Sequence, residues 1–540
     1  MLPVPVGRGE RIENPVRNRD GTATVSAKIL PRVKTGHWGH FPREGRAESS
    51  DAQVRRPAQM DELPQSGKSD LGFCLQKIGC GGLGTAAFSV RRAYMDTPRL
   101  LLAGTNSGCG KTTVTCGILQ ALVNRGYRVG AFKCGPDYID PMFHSKIIGA
   151  RSGNLDPFFF PENTLRYLLQ KNAADRDVSL IEGVMGYYDG MSMLETRGSS
   201  FHVAGITRSP AVLIVNARGA ALSVLATIQG FLRFRPDSGI RGVILNGCSP
   251  MTAGALAPEI EKELGIRCYG CLPKMEGWTL ESRHLGLVTA DEVKNLREKM
   301  QQLAAAVEKN VDLDGLLALS RRAEPLCCTA ESLPKLEPVR IAVARDRAFC
   351  FYYADSLDVL RELGAELVPF SPLTDPALPE GIQGLYLGGG YPELYTKALS
   401  GNTGMLASVR DAVRARLPCI AECGGFMYLT EAIGGQPMAG ALPGTCFDTG
   451  KLTRFGYVTL TAKKDNLLCR AGESIPAHEF HHWDCTAPGA DFRAEKPTGR
   501  SWDCAVATST LYAGYPHFHF RANPAFAVNF CRACAAYRQG

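Results

Sequence analysis

Short apolar runs alternate along this chain with longer segments whose apolar residues recur every three to four positions. The first strong run is Leu100-Leu101-Leu102-Ala103. Four uninterrupted apolar residues closed by glycine predict a strand buried on both faces. Residues 114–124 follow with helical spacing, and Gly126 supplies a C-terminal stop. The alternation then repeats. Strands are predicted at 128–134, 179–181, Ala211–Asn216 and 242–246, and helices at 220–231 and 255–264. Such a succession predicts an α/β fold: a mostly parallel, doubly wound sheet with ligand-binding loops beyond the carboxyl ends of its strands.

The pattern changes near residue 293. Residues 296–307 and 312–321 read as helices, and Pro325, Pro334 and Pro338 follow, so 293–338 is expected to be a helical linker. A second doubly wound α/β domain is expected over 339–540. It opens with strands at 341–344, 366–370 and 384–387 and helices at 355–363 and 405–416, and turns β-rich beyond Tyr457. The first domain then spans 95–292. Residues 1–94 hold no sustained periodicity, and 44–68 read as disordered. Met95 stands just before the first strand, which makes it the expected functional start. Residues 1–94 are then a disordered leader or sequence upstream of that start, and their acidic residues argue against a targeting segment.

Composition narrows the class. Hydrophobic residues make up 45% and charged residues 21%, ordinary for a soluble globular protein. No apolar run reaches the roughly 18–20 residues that span a bilayer. The 19 cysteines are scattered, many within apolar strands, which suits a reducing cytoplasm. The net charge of +8 misleads, because residues 1–94 hold 15 basic and 9 acidic side chains and the rest of the chain 46 and 44. Nothing here predicts a nucleic-acid or membrane partner.

The turn after the first strand runs Gly104-Thr105-Asn106-Ser107-Gly108-Cys109-Gly110, then Lys111-Thr112-Thr113 opens the helix. Strand, glycine-rich turn and helix N-terminus make a phosphate cradle, because backbone N–H groups and the helix dipole point at one spot. Lys111 would reach the outer phosphates and the Thr112 hydroxyl would bind Mg²⁺. Thr105 occupies the position of the usual first glycine, with Gly104 one residue earlier. Asp137, Glu182 and Asp189 all sit just beyond predicted strands, so one site could gather them with Lys111.

Cys423 lies between the apolar Ile420-Ala421 and Gly424-Gly425, a strand–turn–helix arrangement like a nucleophile elbow. A helix N-terminus raises the thiolate fraction there. Gly388, Gly389 and Gly390 after another strand could aim N–H groups at an oxyanion, with Gly389 and Gly390 as the donors. A nucleophilic thiol needs a base. His284, His478, His481, His482, His517 and His519 are the candidates by position. His517 and His519 alternate on an apparent strand, so one could act on the thiol and the other orient it. His478-Glu-Phe-His481-His482 has the zinc-protease letters, but Pro476 before it and Trp483-Asp-Cys-Thr-Ala-Pro after it leave no helix to hold both ligands. A triphosphate site and a thiol hydrolase site in one chain point to ATP activation of a carboxylate with ammonia released from glutamine.

From Arg99 to about Pro524 the chain resembles the cobyrinic acid a,c-diamide synthases of the CbiA/CobB type. The stretches that carry the resemblance are AGTNSGCGKTTV, FKCGPDYIDP, GNLDPFF, IEGVMGYYDG, ESRHLGLV, ARDRAFCFYYADSLDVL, LGGGYPELY, AECGGFMYL, HEFHH and GYPHFHF, in that order. The resemblance implies a dethiobiotin-synthetase-like P-loop domain fused to a class I glutamine amidotransferase domain. It implies amidation of the a and c acetates of cobyrinate with ATP, Mg²⁺ and glutamine. It makes Cys423 the nucleophile, His517 the base, and His519 the orienting residue in place of a glutamate. It gives Gly104, Asn106, Gly108, Gly110, Lys111, Thr112 and Thr113 to the nucleotide, Thr112 and Glu182 to the metal, Asp137 and Asp189 to substrate and intermediate, and Asn246 to the adenine. Ser356, Ala477 and His482 depart from the family's usual Asn, Gly and Tyr.

Other readings share these features. The same chemistry on hydrogenobyrinate or nickel-sirohydrochlorin would leave the same motifs, since each carries acetate side chains. A partitioning P-loop ATPase would need a lysine five positions before Lys111, where Asn106 stands, and Cys423, Gly388–Gly390 and His517 argue against a regulatory nucleotide-binding protein with an inactive amidotransferase domain. A homodimer is compatible with the sequence and is left open.

Overall fold

The structure is a computed structural model, and it describes residues 92–95, 97–275 and 290–537. Residues 1–91 and His284, with its ESRHLGLV stretch, lie outside the described residues.

Seven parallel strands form the first sheet. Their order across it is Arg151–Leu155, Val129–Cys134, Val178–Glu182, Arg99–Gly104, Ala211–Asn216, Ile240–Asn246 and Arg267–Leu272. Alternation along the central strand feeds two cores. Leu101 and Ala103 pack on one face with Phe132, Ile181 and Leu213, and Leu100 and Leu102 on the other with Val114, Ile118 and Leu180. Both faces are covered by helices, which is why the strand is apolar throughout.

The segment expected to be a linker belongs to this packing. Its helices are Ala290–Asn310 and Leu313–Ser320. Met300, Leu303 and Val307 are fully buried against the helix Lys111–Asn124, where Gly117 permits close approach. The amphipathic stripe on 296–307 is therefore a core face of the nucleotide half, not a spacer. Arg92–Met95 pairs antiparallel with Leu326–Thr329, so the pairing takes in three residues before Met95.

The second sheet has six strands in the order Ala365–Phe370, Val339–Ala344, Gly384–Leu387, Cys419–Glu422, Leu511–Gly514 and Val506–Ala507. All are parallel except the last pair. A five-stranded antiparallel sheet lies beside it, in the order Ser501–Cys504, Phe492–Glu495, Arg454–Ala462, Ser474–His481 and His517–Phe518. This is the β-rich region predicted beyond Tyr457.

The two halves meet through aromatic and charged contacts. The Tyr457 ring stacks on Phe158 at 4.4 Å, and its hydroxyl donates to Asp156 at 3.0 Å. Lys171 pairs with Glu362 at 2.6 Å. No helix among the described residues is long and apolar enough to cross a membrane.

Candidate functional site

The phosphate cradle forms where the central strand ends. Gly110 takes φ 95° just before the helix, and a side chain there would collide with the Asn246 amide, so the position demands glycine. Gly108 also has positive φ. The helix Lys111–Asn124 has no side-chain cap, so its first N–H groups face the loop. Lys111 Nζ donates to the Asn106 carbonyl at 3.1 Å, folding the lysine back along the turn. Burial lowers its pKa.

Behind the cradle lies a buried charge network. Thr112 Oγ1 donates to Glu182 Oε1 at 2.6 Å. Lys133 Nζ stands 2.8 Å from the same oxygen and 2.5 Å from Asp140 Oδ2. His144 Nε2 lies 3.4 Å from Glu182 Oε2. Burial alone would raise the pKa of Glu182, but Lys133 and His144 outweigh it and hold the carboxyl below its usual range. Asp140 is pushed up to about 7 by burial, with the Glu182 charge adding to the shift and Lys133 opposing it. Sequence reasoning placed Thr112 and Glu182 together but did not single out Lys133, Asp140 or His144. The available signal was a lysine inside the otherwise apolar strand Val129–Cys134.

The flanking candidates are distributed around this network. Asp137 Oδ1 accepts from Ile139 N at 2.8 Å, which shapes the loop after the strand. Asp189 is exposed and its Oδ2 accepts from Gly186 N at 2.8 Å. Asn106 and Thr113 lie in the turn and first helical residues. Asn246, expected at the adenine, donates from Nδ2 to the Cys109 carbonyl at 2.8 Å. Its place at the end of a neighbouring strand makes it a brace for the cradle.

The thiol site lies on the second sheet. Cys423 follows the strand Cys419–Glu422 with φ 49° and ψ −104°, and the helix Gly424–Leu429 starts at once. A non-glycine residue in this region is strained, and the surrounding sheet holds it, since Cys423 N donates to the Gly514 carbonyl at 2.7 Å. Gly389 lies so close to His517 that a Cβ would overlap the imidazole. Gly390 N is among the atoms nearest to where a Gly424 Cβ would project. The predicted oxyanion glycines thus line the elbow.

His517 and Cys423 are both buried. Burial would lower the His517 pKa, but its neighbours Cys423 and Glu422 raise it to about 10. Glu422 Oε2 stands 3.8 Å from His517 Nδ1. Its oxygens also accept from the Tyr386 hydroxyl at 3.1 Å and from Phe518 N at 3.2 Å.

Comparison with known proteins agrees with both halves. Residues 100–288 match the CobQ/CobB/MinD/ParA nucleotide binding domain, and residues 340–525 match the CobB/CobQ-like glutamine amidotransferase domain. A cobyrinate a,c-diamide synthase of Caldanaerobacter subterraneus subsp. tengcongensis is 40% identical over 81% of this chain and 98% of its own. One from Priestia megaterium is 37% identical over 82% of this chain and 99% of its own, and one from Clostridium acetobutylicum 39% over 80% and 99%. The chain belongs to the cobyrinate a,c-diamide synthase family.

Within this family frame one site residue is reassigned. His519 does not orient His517. The strand ends at Phe518, and the His519 ring sits in an aromatic nest, 4.7 Å from Phe160 and 5.0 Å from Tyr353. Its Nδ1 accepts from Arg521 N at 3.0 Å, and burial lowers its pKa to about 3. The group beside His517 is Glu422, which sequence reasoning passed over. His478 and His481 lie on the strand Ser474–His481, three residues apart, which puts them on opposite faces.

One residue of the nucleotide half reaches the thiol site. The Tyr138 ring stacks on Phe351 at 5.1 Å, tilts against Tyr353 at 4.4 Å, and lies 5.2 Å from the His517 ring. Tyr138 belongs to the same loop as Asp137 and Asp140. A short path therefore runs from Thr112 and Glu182 through Lys133 and Asp140 to Tyr138 and His517.

Proposed function

We propose that this protein amidates the a and c acetate carboxylates of cobyrinate to give cobyrinate a,c-diamide in cobalamin biosynthesis, with ATP activating each carboxylate and glutamine supplying ammonia. The observation that carries the reading is the connection, in one chain, of a phosphate cradle backed by Thr112, Glu182 and Lys133 to a Cys423–His517 pair through the ring of Tyr138.

In the amidotransferase half, the Cys423 thiolate attacks the glutamine side-chain carbonyl, and Gly389 and Gly390 face the oxyanion that forms. The imidazolium of His517 donates its proton to the departing nitrogen, leaving a thioester on Cys423 and free ammonia. Water then adds to the thioester with His517 as base, releasing glutamate and restoring the thiolate. Glu422 holds the His517 ring and stabilises its positive charge, so it takes the positioning role expected of His519.

In the nucleotide half, a substrate carboxylate oxygen attacks the γ-phosphorus of ATP, and ADP leaves. Ammonia attacks the resulting acyl phosphate, and inorganic phosphate leaves as the amide forms. The loop N–H groups and Lys111 neutralise the transferring phosphoryl group. The Thr112 hydroxyl and Glu182 carboxylate are hard oxygen donors that suit Mg²⁺, and the buried Glu182 carboxylate stands at the end of the cradle beside Thr112. Mg²⁺ bound there would offset phosphate charge. Asp137 and Asp189 border the place where the carboxylate and its phosphorylated form would stand.

Mass spectrometry of the products formed from cobyrinate with ATP, Mg²⁺ and glutamine tests this. Two successive amidations are expected. Amidation of hydrogenobyrinate or nickel-sirohydrochlorin with none of cobyrinate would replace the substrate and keep the chemistry.

A further inference from the structure

A cavity of about 790 Å³ lies between the two halves. One wall comes from the loop and strand around Asp137–Asn154, and the other from residues around Arg345–Thr374 of the amidotransferase half. Its volume lies within the ordinary range of small-molecule sites, roughly 300–1,000 Å³. Neither Cys423 nor Lys111 lines it, so neither reaction centre already described accounts for it.

The lining has two characters. Tyr138, Met142, Phe143 and Tyr352 offer apolar and aromatic surface. Lys146, Arg151, Arg345 and Arg347 supply cations, all four exposed. None of these four forms an ion pair with a carboxylate among the described residues. Arg151 donates to Asn172 Oδ1 at 3.0 Å, and Arg347 lies over the Tyr395 ring at 5.6 Å.

The acidic lining residues are largely committed elsewhere. Asp346 accepts from Ala348 N, Phe349 N, Leu373 N and the Ser371 hydroxyl. Asp355 is buried, accepts from Asn172 and has its pKa raised by burial. Asp358 pairs with Arg361 at 2.9 Å and Lys171 at 3.7 Å. Asp137, which accepts from Ile139 N, lines the same cavity as the four cations.

An apolar wall with several separate cations fits a flat, largely apolar molecule that carries several carboxylates on its edge. A tetrapyrrole with acetate and propionate side chains has that form. Glutamine offers one carboxylate and an ammonium group, and the polyphosphate of ATP has its own cradle at Lys111. Asp137 also connects the cavity to the chemistry. It shares a loop with Asp140, which pairs with Lys133 and so with Glu182.

We propose that this cavity seats the tetrapyrrole substrate, with Lys146, Arg151, Arg345 and Arg347 holding peripheral carboxylates while an acetate is presented beside Asp137. The proposal rests on the amidation reading above. It makes the amidotransferase half a part of the substrate site, as well as the source of ammonia.

The test uses the full chain, with cobyrinate as the titrant. Binding is followed by the absorbance of its ring without turnover, and KM by product formation. Arg345→Glu/Arg347→Glu and, on the opposite wall, Lys146→Glu should each weaken cobyrinate binding and raise its KM about tenfold or more, because reversal places like charges together. The KM values of ATP and glutamine should stay within about twofold, and Arg345→Lys/Arg347→Lys should keep most of the affinity. Unchanged cobyrinate binding in both charge-reversal variants would overturn the assignment and leave the amidation reading standing. So would a rise in the glutamine KM as large as that for cobyrinate. A wild-type protein that binds cobyrinate through these residues but amidates neither acetate would strike the amidation reading alone.

Discussion

The carboxylate of Glu422 stands 3.8 Å from Nδ1 of His517, although the two residues are separated by most of the amidotransferase half's β-rich region. Glu422 is the last residue of the strand that leads into Cys423, and His517 lies just after the neighbouring strand Leu511–Gly514. Parallel pairing of these strands, with Glu422 in register with Gly514, brings acid, thiol and imidazole to one sheet edge.

Removing the Glu422 charge should show in the pH profile. The carboxylate helps raise the pKa of His517 to about 10. In Glu422→Gln that pKa falls, so the imidazolium is lost at lower pH and the alkaline limb of glutaminase activity moves down. The maximal rate should fall roughly tenfold, less than the 10²–10⁴-fold that general acid–base catalysis contributes. Glu422→Asp should restore part of the shift, and ammonia-dependent amidation should hold in both. An unmoved pH profile in Glu422→Gln would show that the carboxylate only supports the fold.

Substituting the nucleophile should separate the nitrogen sources. Cys423→Ala is expected to lose glutamine-dependent amidation and keep amidation with free ammonia. Its left-handed φ also has a stability consequence. Cys423→Gly should unfold at a higher temperature than Cys423→Ala, because a non-glycine residue strained in this way costs about 1–3 kcal/mol. Calorimetry of the two variants compares them directly.

Tyr138 should link the rates of the two halves. It packs on His517 from a loop that also holds Asp137 and Asp140. Tyr138→Phe keeps the ring and should keep one glutamate formed per amide. Tyr138→Ala leaves a gap at the interface, so glutamate should form in excess over amide. Measuring both products in one reaction decides it, and equal ratios in the three proteins would remove Tyr138 from the coupling.

Acid sensitivity should come from two buried imidazoles. Burial lowers the pKa of His519 and of His478 to about 3, well below that of an exposed histidine. The unfolded chain then binds more protons between pH 6.5 and 3, so stability falls as the pH drops through that window. At pH 5 each group should cost about 2 kcal/mol relative to pH 7 and above. His517 has the opposite sign, since its raised pKa adds stability below about 6.5 that is lost as the pH rises through about 10. Urea unfolding at pH 5 and pH 7 should show a smaller difference in His519→Phe than in the wild type. The same variant should keep glutaminase activity, because His519 touches neither Cys423 nor His517.

Local features were legible in the chain. The cradle from Gly104 to Thr113 and the elbow at Cys423 each depend on residues that follow one another, and their backbone geometry is set by glycine spacing and the strand–helix boundary. The departures arose where an element's end or packing partner was unknown. The orienting role expected of His519 rests on the family's glutamate position and on strand alternation continuing past Phe518, where the strand ends. The apolar stripe at 296–307 announced a helix but not that it would pack on Gly117.

By itself, then, the sequence determined two α/β halves, a phosphate cradle, a cysteine at a strand–helix elbow and the family to which they belong. Only the tertiary structure decided that Glu422 rather than His519 stands behind His517, that Lys133 joins Glu182 to Asp140, and that Asn246 braces the loop. It also decided that Tyr138 of one half lies against the His517 ring of the other. Each of these is a contact between residues on different strands or loops, set by sheet register and by the packing of one half on the other. No short stretch of sequence encodes such a distance.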